Sequence, residues 1–263
     1  MRSNQKKRAK GGKRGIYIIP NLFTSASLFC GFYAIIAAMQ GRYETAAIAI
    51  LISCLLDGLD GRIARLTHST SQFGIEYDSL ADLVAFGVAP AVLTFRWALE
   101  PFGRLGWMAC SVFVICGALR LARFNVQKAG LEPNFFKGLP IPAAAGFIAS
   151  LILFLTTIGG LSEFGHVLVI FLVYILSFFM VSSLDYLSFK ELDLKKRKPF
   201  SVLVASILIL VVIAYKPKVM LFFILAAYIA SGPVVTLYRF KKKRSDTTSE
   251  LFEEISQVKA NGD

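Results

Sequence analysis

The chain has 263 residues and a formal net charge of +12, with 56% hydrophobic and only 17% charged residues. A water-soluble domain of this length would be about half apolar and would carry about 25% charged residues. The mean hydropathy here is +0.62 and the apolar residues stand in long blocks. Composition therefore excludes an ordinary soluble enzyme and predicts an integral membrane protein.

The positive charge lies beside the apolar blocks, in "KKRAKGGKR", "KELDLKKRKP" and "RFKKKRSD". Basic clusters in such places mark cytoplasmic loops and attract anionic lipid headgroups. Because nothing in the pattern indicates a surface that reads bases, we predict membrane lipids as partners and no nucleic acid. Four cysteines lie inside apolar segments and are interpreted as small buried hydrophobic residues, without a disulfide framework.

In chain order, residues 1–17 predict a basic cytoplasmic tail, residues 18–240 a membrane-embedded domain and residues 241–263 a polar cytoplasmic tail. The first apolar stretch has no small-residue cleavage site, so we interpret it as a retained helix and not as a signal peptide. A membrane helix needs roughly 20 mainly apolar residues. About eight candidate spans follow: Ile19–Met39, Tyr43–Leu66, Tyr77–Phe95, Leu105–Phe124, Pro142–Ile158, Phe164–Leu187, Phe200–Tyr215 and Val219–Tyr238.

The fold class that this pattern predicts is an all-α polytopic bundle. With eight spans, 24 of the 29 lysines and arginines fall on the side that holds both tails. The positive-inside rule then makes that side cytoplasmic and favours an even number of spans. Six spans are the alternative, in which the last hairpin, with its short first arm between Pro199 and Pro217, does not insert.

An unusual feature is the acidic segment "DGLDGRIARLTHSTSQFGIEYDSLAD", residues 57–82. Asp57 and Asp60 are three residues apart, and Asp78 and Asp82 are four apart, so each pair shares one face of a helix. The short polar turn between the pairs makes the two helices antiparallel. We therefore expect the carboxylates to converge on one pocket at the cytoplasmic membrane surface.

Such a cluster is strongly unfavourable unless it is neutralised, because like charges repel and burial penalises carboxylates. Oxygen ligands favour a hard divalent ion, Mg²⁺ or Mn²⁺, with Ca²⁺ as a further candidate. The structural alternative is an ion network with Arg62 and Arg65. Ionisable residues in membrane segments are more often functional.

Small residues adjoin the acids: Gly61 and Ala64 follow Asp57 on the same helix. They leave room for a ligand against the backbone, although close helix packing is an equal alternative. Arg65 extends this face and suits a phosphate. Carboxylates, a divalent ion, small residues and arginine together suggest a nucleotide diphosphate at the membrane surface.

The segment resembles the signature of the CDP-alcohol phosphotransferases, D-x2-D-G-x2-A-R-x8-G-x3-D-x3-D, and it meets every spacing. The resemblance implies a membrane fold that works as a homodimer, with the active site on the cytoplasmic face of a prokaryotic cell membrane. It assigns metal binding to the four aspartates and makes Asp82 the general base as well. It assigns the nucleotide or CDP-lipid to Gly61, Ala64, Arg65, Ser71, Gly74 and Thr24.

A second region, "GALRLARFNVQ" followed by "FKGLPIPAAAG", resembles the phosphatidylserine synthase branch of this family. That branch implies CDP-diacylglycerol (or CDP-archaeol) as donor and L-serine as acceptor. Arginine suits a carboxylate, and an asparagine carbonyl suits an ammonium group. The residues expected to bind serine or phosphate are Arg120, Arg123, Asn125 and Lys137.

Other interpretations stay open at this point. The arginines could instead bind lipid phosphate or anchor a cytoplasmic loop. Another acceptor, such as glycerol 3-phosphate or inositol phosphate, would use the same chemistry. An ion-coupled transporter is the alternative from a different class, but transport sites lie near the bilayer midplane and in repeated halves, which this sequence does not show.

Overall fold

The computed structural model describes residues 18–66, 71–128, 136–186 and 216–236. Within these ranges the chain is almost entirely helical, which confirms the predicted all-α membrane architecture. Its helices are α1 (Ile18–Met39), α2 (Tyr43–Leu66), α3 (Gln72–Phe102), α4 (Arg104–Lys128), α5 (Ile141–Thr157), α6 (Glu163–Val181) and α7 (Pro217–Thr236). One pair of two-residue strands, β1 (Phe136–Lys137) and β2 (Asp185–Tyr186), joins the α4–α5 connection to the segment after α6.

Five of these helices are long and apolar enough to cross a membrane: α1, α3, α4, α6 and α7. Helix α2 has the length but carries Glu44 near its start and aspartates near its end, and α5 is shorter, with 17 residues. The count of eight spans stays a prediction. The predicted span over 200–215 and both predicted tails lie outside the described residues.

From α1 to α6, helices that follow one another in the chain run antiparallel, so that the bundle has two ends. At one end, which we call the aspartate end, Thr24 near the start of α1 contacts Asp60 near the end of α2. At the opposite end, the Tyr43 hydroxyl at the start of α2 donates to the backbone carbonyl of Arg96 in α3. There too, His166 at the start of α6 is 2.8 Å from the Ala98 carbonyl. This arrangement is the one expected for helices that cross a bilayer in turn.

Helix α3 is longer than the predicted span Tyr77–Phe95, because Ser71 caps its start and irregular turns extend its end. Its first α-helical segment ends at Asp82, and a π-helical turn follows over Leu83–Val88. Single π-helical turns inside α-helices are frequent at functional sites, since they shift side chains around the helix axis. Here the turn directly follows the last aspartate.

The small strand pair fixes the connection into α5. Phe136 pairs with Tyr186, and Gly138, with φ of 85°, donates its N–H to the Leu184 carbonyl at 2.9 Å. Helix α6 ends at Val181, six residues before the predicted end at Leu187, because the chain turns there into β2. The "GLPIP" segment is thereby held against the end of α6.

Helix α7 begins at the opposite end of the bundle, where the Lys218 ammonium is 2.8 Å from a Glu44 carboxylate oxygen at the start of α2. Helix α6 ends at the aspartate end, where Arg123 of α4 donates to the Val181 carbonyl at 3.3 Å. The predicted span over 200–215 would connect these two ends, and it stays a prediction because it lies outside the described residues.

Candidate functional site

Three of the four predicted aspartates form a compact cluster. Asp57 and Asp60 come from the last turns of α2, and Asp78 comes from the second turn of α3. One carboxylate oxygen from each lies within 4.8 Å of the other two. The expected convergence of residues distant in sequence is therefore present at the aspartate end. Asp60 is only 5% exposed, so water does little to relieve the repulsion between these carboxylates.

Asp82 lies against Asp57, and the two carboxyl groups are within hydrogen-bonding reach of each other. It is not part of the three-oxygen cluster, although Asp57, Asp60 and Asp78 all act on it electrostatically. A carboxylate that lies beside the three clustered aspartates without belonging to them is suited to accept a proton from a neighbouring ligand.

The three-oxygen cluster fits a hard divalent cation. Two ligands on opposite sides of such an ion are roughly 4.2–4.8 Å apart, given metal–oxygen distances of about 2.1–2.4 Å. The three oxygens lie within 4.8 Å of one another, close enough to share one such ion, and all three donors are carboxylate oxygens. Among the described residues, no cysteine or histidine belongs to the cluster, so its donor set favours Mg²⁺, Mn²⁺ or Ca²⁺ over a thiophilic metal.

Thr24 is placed at the site as expected, but its contact is with a carboxylate. Its hydroxyl donates to Asp60 at 2.9 Å and also lies 3.1 Å from the Pro20 carbonyl. Thr24 is only 5% exposed. This hydrogen bond holds Asp60 in one orientation, which is the ordinary use of a second layer of residues around metal ligands.

The small residues predicted for the nucleotide differ in their surroundings. A side chain added at Gly61 would meet no described residue within 4 Å, and the same holds at Gly58, so the described part of the chain leaves this side of α2 open to a ligand. At Gly74 the added carbon would lie 3.2 Å from the Ser71 hydroxyl and 3.4 Å from the Asn21 side chain. The missing side chain at Gly74 therefore serves close packing between α3 and α1.

Ser71 is the N-cap of α3, where its hydroxyl oxygen accepts from the Gly74 N–H at 3.0 Å. Such a cap satisfies a helix N–H group that would otherwise be unpaired. Arg62 is exposed and forms no ion pair with a described residue, so the alternative of a structural network with Arg62 gains no support. Ala64 and Arg65 lie in the last turn of α2, and their side chains are outside the described part.

Arg120 and Arg123 of α4 have different partners. Arg120 is in the electrostatic neighbourhood of Asp82, and its guanidinium carbon is 5.9 Å from the centre of the Phe124 ring. Its Nε atom is buried and has no hydrogen-bond partner among the described residues. Arg123 instead donates to the Val181 carbonyl at the end of α6. Of these two arginines, Arg120 is therefore the one that interacts with an aspartate.

Asn125 also reaches α3, since its side-chain amide donates to the Ser79 hydroxyl at 2.8 Å. Ser79 in turn donates to the Ile75 carbonyl at 3.0 Å. This bond uses one of the two amide hydrogens of Asn125, and the carbonyl oxygen of the same side chain can accept a hydrogen bond from a ligand. Lys137 lies in β1, beside the connection into α5, and its side chain is outside the described part.

Sequence reasoning missed several neighbours of the aspartates. Ser25 of α1 and Tyr77 of α3 are joined by a hydrogen bond of 2.8 Å. Ser79 connects the aspartate helix to Asn125. Tyr77 and Ser79 flank Asp78 in "EYDSL". Their polar side chains at the start of an apolar helix were the signal that the sequence offered. Tyr228 of α7, which interacts electrostatically with Arg120, had no such signal.

Comparison with known proteins agrees with this geometry. The sequence model of the family described as CDP-alcohol phosphatidyltransferase matches residues 17–182, more than half of the chain. The chain is 44% identical over 176 residues to the CDP-diacylglycerol--serine O-phosphatidyltransferase of Helicobacter pylori (strain J99), which covers 67% of this chain and 74% of that protein.

Two further relatives come from distant organisms. The chain is 37% identical over 170 residues to the archaetidylserine synthase of Methanothermobacter thermautotrophicus, with coverage of 64% and 69%. It is 39% identical over 126 residues to the CDP-diacylglycerol--serine O-phosphatidyltransferase of Bacillus subtilis (strain 168), with coverage of 48% and 70%. The resemblance predicted from the aspartate signature is confirmed, and the chain belongs to the CDP-alcohol phosphatidyltransferase family.

Proposed function

We propose that this protein transfers the phosphatidyl group of CDP-diacylglycerol to the hydroxyl of L-serine and releases CMP. The observation that carries the proposal is the convergence of Asp57, Asp60 and Asp78 within 4.8 Å, in a chain of this family. The names of the relatives support serine as the acceptor, since the similar proteins from Helicobacter pylori and Bacillus subtilis are both CDP-diacylglycerol--serine O-phosphatidyltransferases.

The aspartate cluster would hold the divalent cation. When bound there, Mg²⁺ or Mn²⁺ supplies positive charge that neutralises the pyrophosphate of the donor and the departing CMP. Asp57, Asp60 and Asp78 provide its oxygen ligands, and Asp82 adds a fourth carboxylate beside Asp57. Thr24 keeps Asp60 oriented through their hydrogen bond.

Asp82 is the general base of the proposed reaction. As the serine hydroxyl oxygen forms its bond to the phosphorus that carries the diacylglycerol, the bond from that phosphorus to the CMP oxygen breaks. The hydroxyl proton passes to the Asp82 carboxylate, and CMP leaves as the anion. A positioned base contributes about 10²–10⁴-fold to such a step, because the hydroxyl is a poor nucleophile near neutral pH.

The CDP part of the donor is assigned to the open side of α2. Gly58 and Gly61 leave space there, Ala64 and Arg65 continue that helix, and Arg65 is assigned to the phosphates. The neighbouring wall of the donor site is assigned to Ser71, Gly74 and Thr24. Ser71 accepts from the Gly74 N–H at the start of α3, and Thr24 donates to Asp60. Relatives named for diacylglycerol and for archaetidyl lipids make CDP-diacylglycerol the first donor to test and CDP-archaeol the second.

The acceptor is assigned to the end of α4. Arg120, which interacts electrostatically with Asp82, would bind the serine carboxylate, and the Asn125 carbonyl would accept from the ammonium group. Arg123 and Lys137 complete the positive charge on this side, although Arg123 also ties α4 to α6. Serine would then lie between its binding groups and the proposed base.

The protein is a membrane protein, and we propose finer features of its placement from charge and family. Both termini and the active site would be on the cytoplasmic face of a prokaryotic cell membrane, since the basic loops share the side of the aspartates. Residues 18–240 would form the membrane domain, with polar tails at 1–17 and 241–263. A homodimer is the proposed assembly, and cross-linking in membranes would test it.

An acceptor panel tests the function. Purified protein with CDP-diacylglycerol and Mg²⁺ or Mn²⁺ is given L-serine, glycerol 3-phosphate or inositol phosphate, and CMP release is measured. We expect CMP with serine alone, none with chelator, and a large loss for Asp82→Asn. CMP with another acceptor would retain the chemistry and reject serine, and absence of CMP with every acceptor would reject the transferase proposal.

A further inference from the structure

The segment "GLPIP", residues 138–142, leads into α5 and has a closely held backbone. Its first two residues donate their N–H groups, both at 2.9 Å, to backbone carbonyls in the last turn of α6 and in the segment that follows α6. Pro140 and Pro142 restrict the backbone on either side of Ile141, because the proline ring fixes φ. The side chain of Ile141 therefore enters the bundle from a backbone with little freedom to move.

Ile141 is completely buried, and its side chain lies between α3 and α4. Its Cδ1 methyl is 2.6 Å from the position that a Cβ atom would take at Gly117 of α4. The same methyl is 3.8 Å from the corresponding position at Gly87, in the π-helical turn of α3. Each of the two helices thus has a glycine where it faces this methyl group.

The start of α5 also contacts the helix that carries the first two aspartates. Cys54 of α2 donates its S–H to the Pro142 carbonyl at 3.6 Å. Cys54 is three residues before Asp57, so the two residues share one side of α2. The segment around Ile141 is therefore in contact with all three helices that carry Asp57, Asp82 and Arg120.

The two glycines are close to the groups of the proposed acceptor reaction. Gly87 is five residues after Asp82, and Gly117 is three residues before Arg120. At a rise of about 1.5 Å per residue, these separations are about 7.5 Å along α3 and about 4.5 Å along α4. Because protein interiors are close-packed, a change in the separation of the helices at the glycines also moves Asp82 relative to Arg120.

We propose that Ile141 is a positioning residue whose Cδ1 methyl sets the separation of α3 and α4, and with it the placement of the acceptor alcohol relative to Asp82. This rests on the proposed transferase function. Ile141 acts through the two helices that it separates and not by contact with the substrate.

A reciprocal change of size tests this contact. In Gly117→Ala the new methyl group needs about 1 Å more room, because carbon atoms pack at about 3.5–4.0 Å and the present spacing is 2.6 Å. Ile141→Val deletes the Cδ1 methyl. The Cγ1 atom, which valine retains, is 3.5 Å from the same position. The double variant therefore restores an ordinary contact between the two residues.

The kinetic test uses the acceptor that wild type uses. A displacement of about 1 Å can cost about 100-fold in rate, so Gly117→Ala should lower kcat/KM for the acceptor roughly 10- to 100-fold. The double variant should come within about threefold of Ile141→Val, and the KM of the CDP-lipid, whose site is assigned to α2, should change less than about twofold. The matched control is Gly146→Ala, at a buried glycine of α5 where the added carbon would meet Leu225 at an ordinary 3.5 Å. This control should stay near wild type.

An unchanged kcat/KM for the acceptor in Gly117→Ala would overturn the proposal. So would a double variant no more active than Gly117→Ala, because the Ile141 methyl would then not be the obstacle. Equal losses for the acceptor and for the CDP-lipid would also overturn it, since they would indicate general damage to the fold.

Thermal unfolding in detergent separates this proposal from the proposed function, because it needs no substrate. Alanine favours a helix over glycine, so Gly117→Ala would raise Tm if its methyl group met no obstacle. We expect instead a fall of roughly 2–8 °C, from which the double variant recovers, while Gly146→Ala stays at or above wild type.

A Tm of Gly117→Ala at or above that of wild type would overturn the role of Ile141, whether or not any acceptor releases CMP. If wild type releases no CMP and the expected pattern of Tm values is found, the transferase proposal alone is rejected and Ile141 is still the residue that separates α3 from α4.

Discussion

The hydrogen bond from Thr24 to Asp60 offers a sharp test of the metal centre. The substitution Thr24→Val keeps the shape of the side chain and removes the hydroxyl that donates to Asp60 at 2.9 Å. Thr24 and Asp60 are both 5% exposed, so water does not readily replace the lost donor. We expect the Asp60 carboxylate to lose its fixed orientation and the cluster to bind its cation more weakly.

The size of the effect follows from the kind of hydrogen bond. A bond to a charged group contributes about 1.5–3 kcal/mol, and about 1.4 kcal/mol corresponds to a factor of ten in affinity. Thr24→Val should therefore raise the metal concentration needed for half-maximal CMP release roughly 10- to 150-fold. Loss of a residue that supports metal ligands typically costs about 10- to 100-fold, which is the same range.

The assay is CMP release at saturating donor and acceptor, with Mg²⁺ or Mn²⁺ varied from chelated to excess. Thr24→Ser keeps the hydroxyl and should stay near wild type. The control Ser25→Ala removes the neighbouring hydroxyl, which bonds to Tyr77 and not to an aspartate. If Thr24→Val has the metal dependence of wild type, the hydrogen bond does not support a metal ligand and our interpretation of the cluster is wrong.

Three further predictions concern the base, the acceptor pocket and the fold. Asp82→Asn should lower kcat by about 10²–10⁴-fold with little change in the KM of the CDP-lipid, and steady-state kinetics would check this. Asn125→Ala and Ser79→Ala both break the 2.8 Å hydrogen bond between them, worth about 0.5–1.5 kcal/mol. If Asn125 also binds the acceptor, acceptor titrations will show a larger rise in KM for Asn125→Ala than for Ser79→Ala. Lys218→Met should cost at most about 1 kcal/mol of stability, because the side chains of Lys218 and its partner Glu44 are 40% and 48% exposed, and thermal unfolding in detergent at low and high salt would measure this.

Much of the site could be predicted because helical spacing is a local property of the sequence. Asp57 with Asp60, and Asp78 with Asp82, had to share helix faces, and a short polar turn had to make their helices antiparallel. The convergence of three carboxylates follows from those facts alone. The long apolar blocks likewise predicted the membrane helices.

The rest depends on contacts between segments that are distant in sequence. The spacing of Arg120 and Arg123 predicted a shared face, but the position of Asp82 in α3 and the end of α6 decide which partner each arginine meets. At Gly74, an added side chain would approach the Ser71 hydroxyl and Asn21 of α1, a contact between helices that the local sequence does not predict. The two-residue strand pair has no periodic pattern, so sequence could not place Tyr186 against α7.

The central claim is that the aspartate cluster is the metal-dependent centre of a serine phosphatidyltransferase. The most direct measurement is the joint formation of CMP and phosphatidylserine from CDP-diacylglycerol and isotopically labelled L-serine, for wild type and for Asp78→Asn, with metal present or chelated. We expect the two products in equal amounts with wild type and metal, and neither product with the variant or the chelator. CMP without labelled lipid, or equal product from Asp78→Asn, would contradict the account.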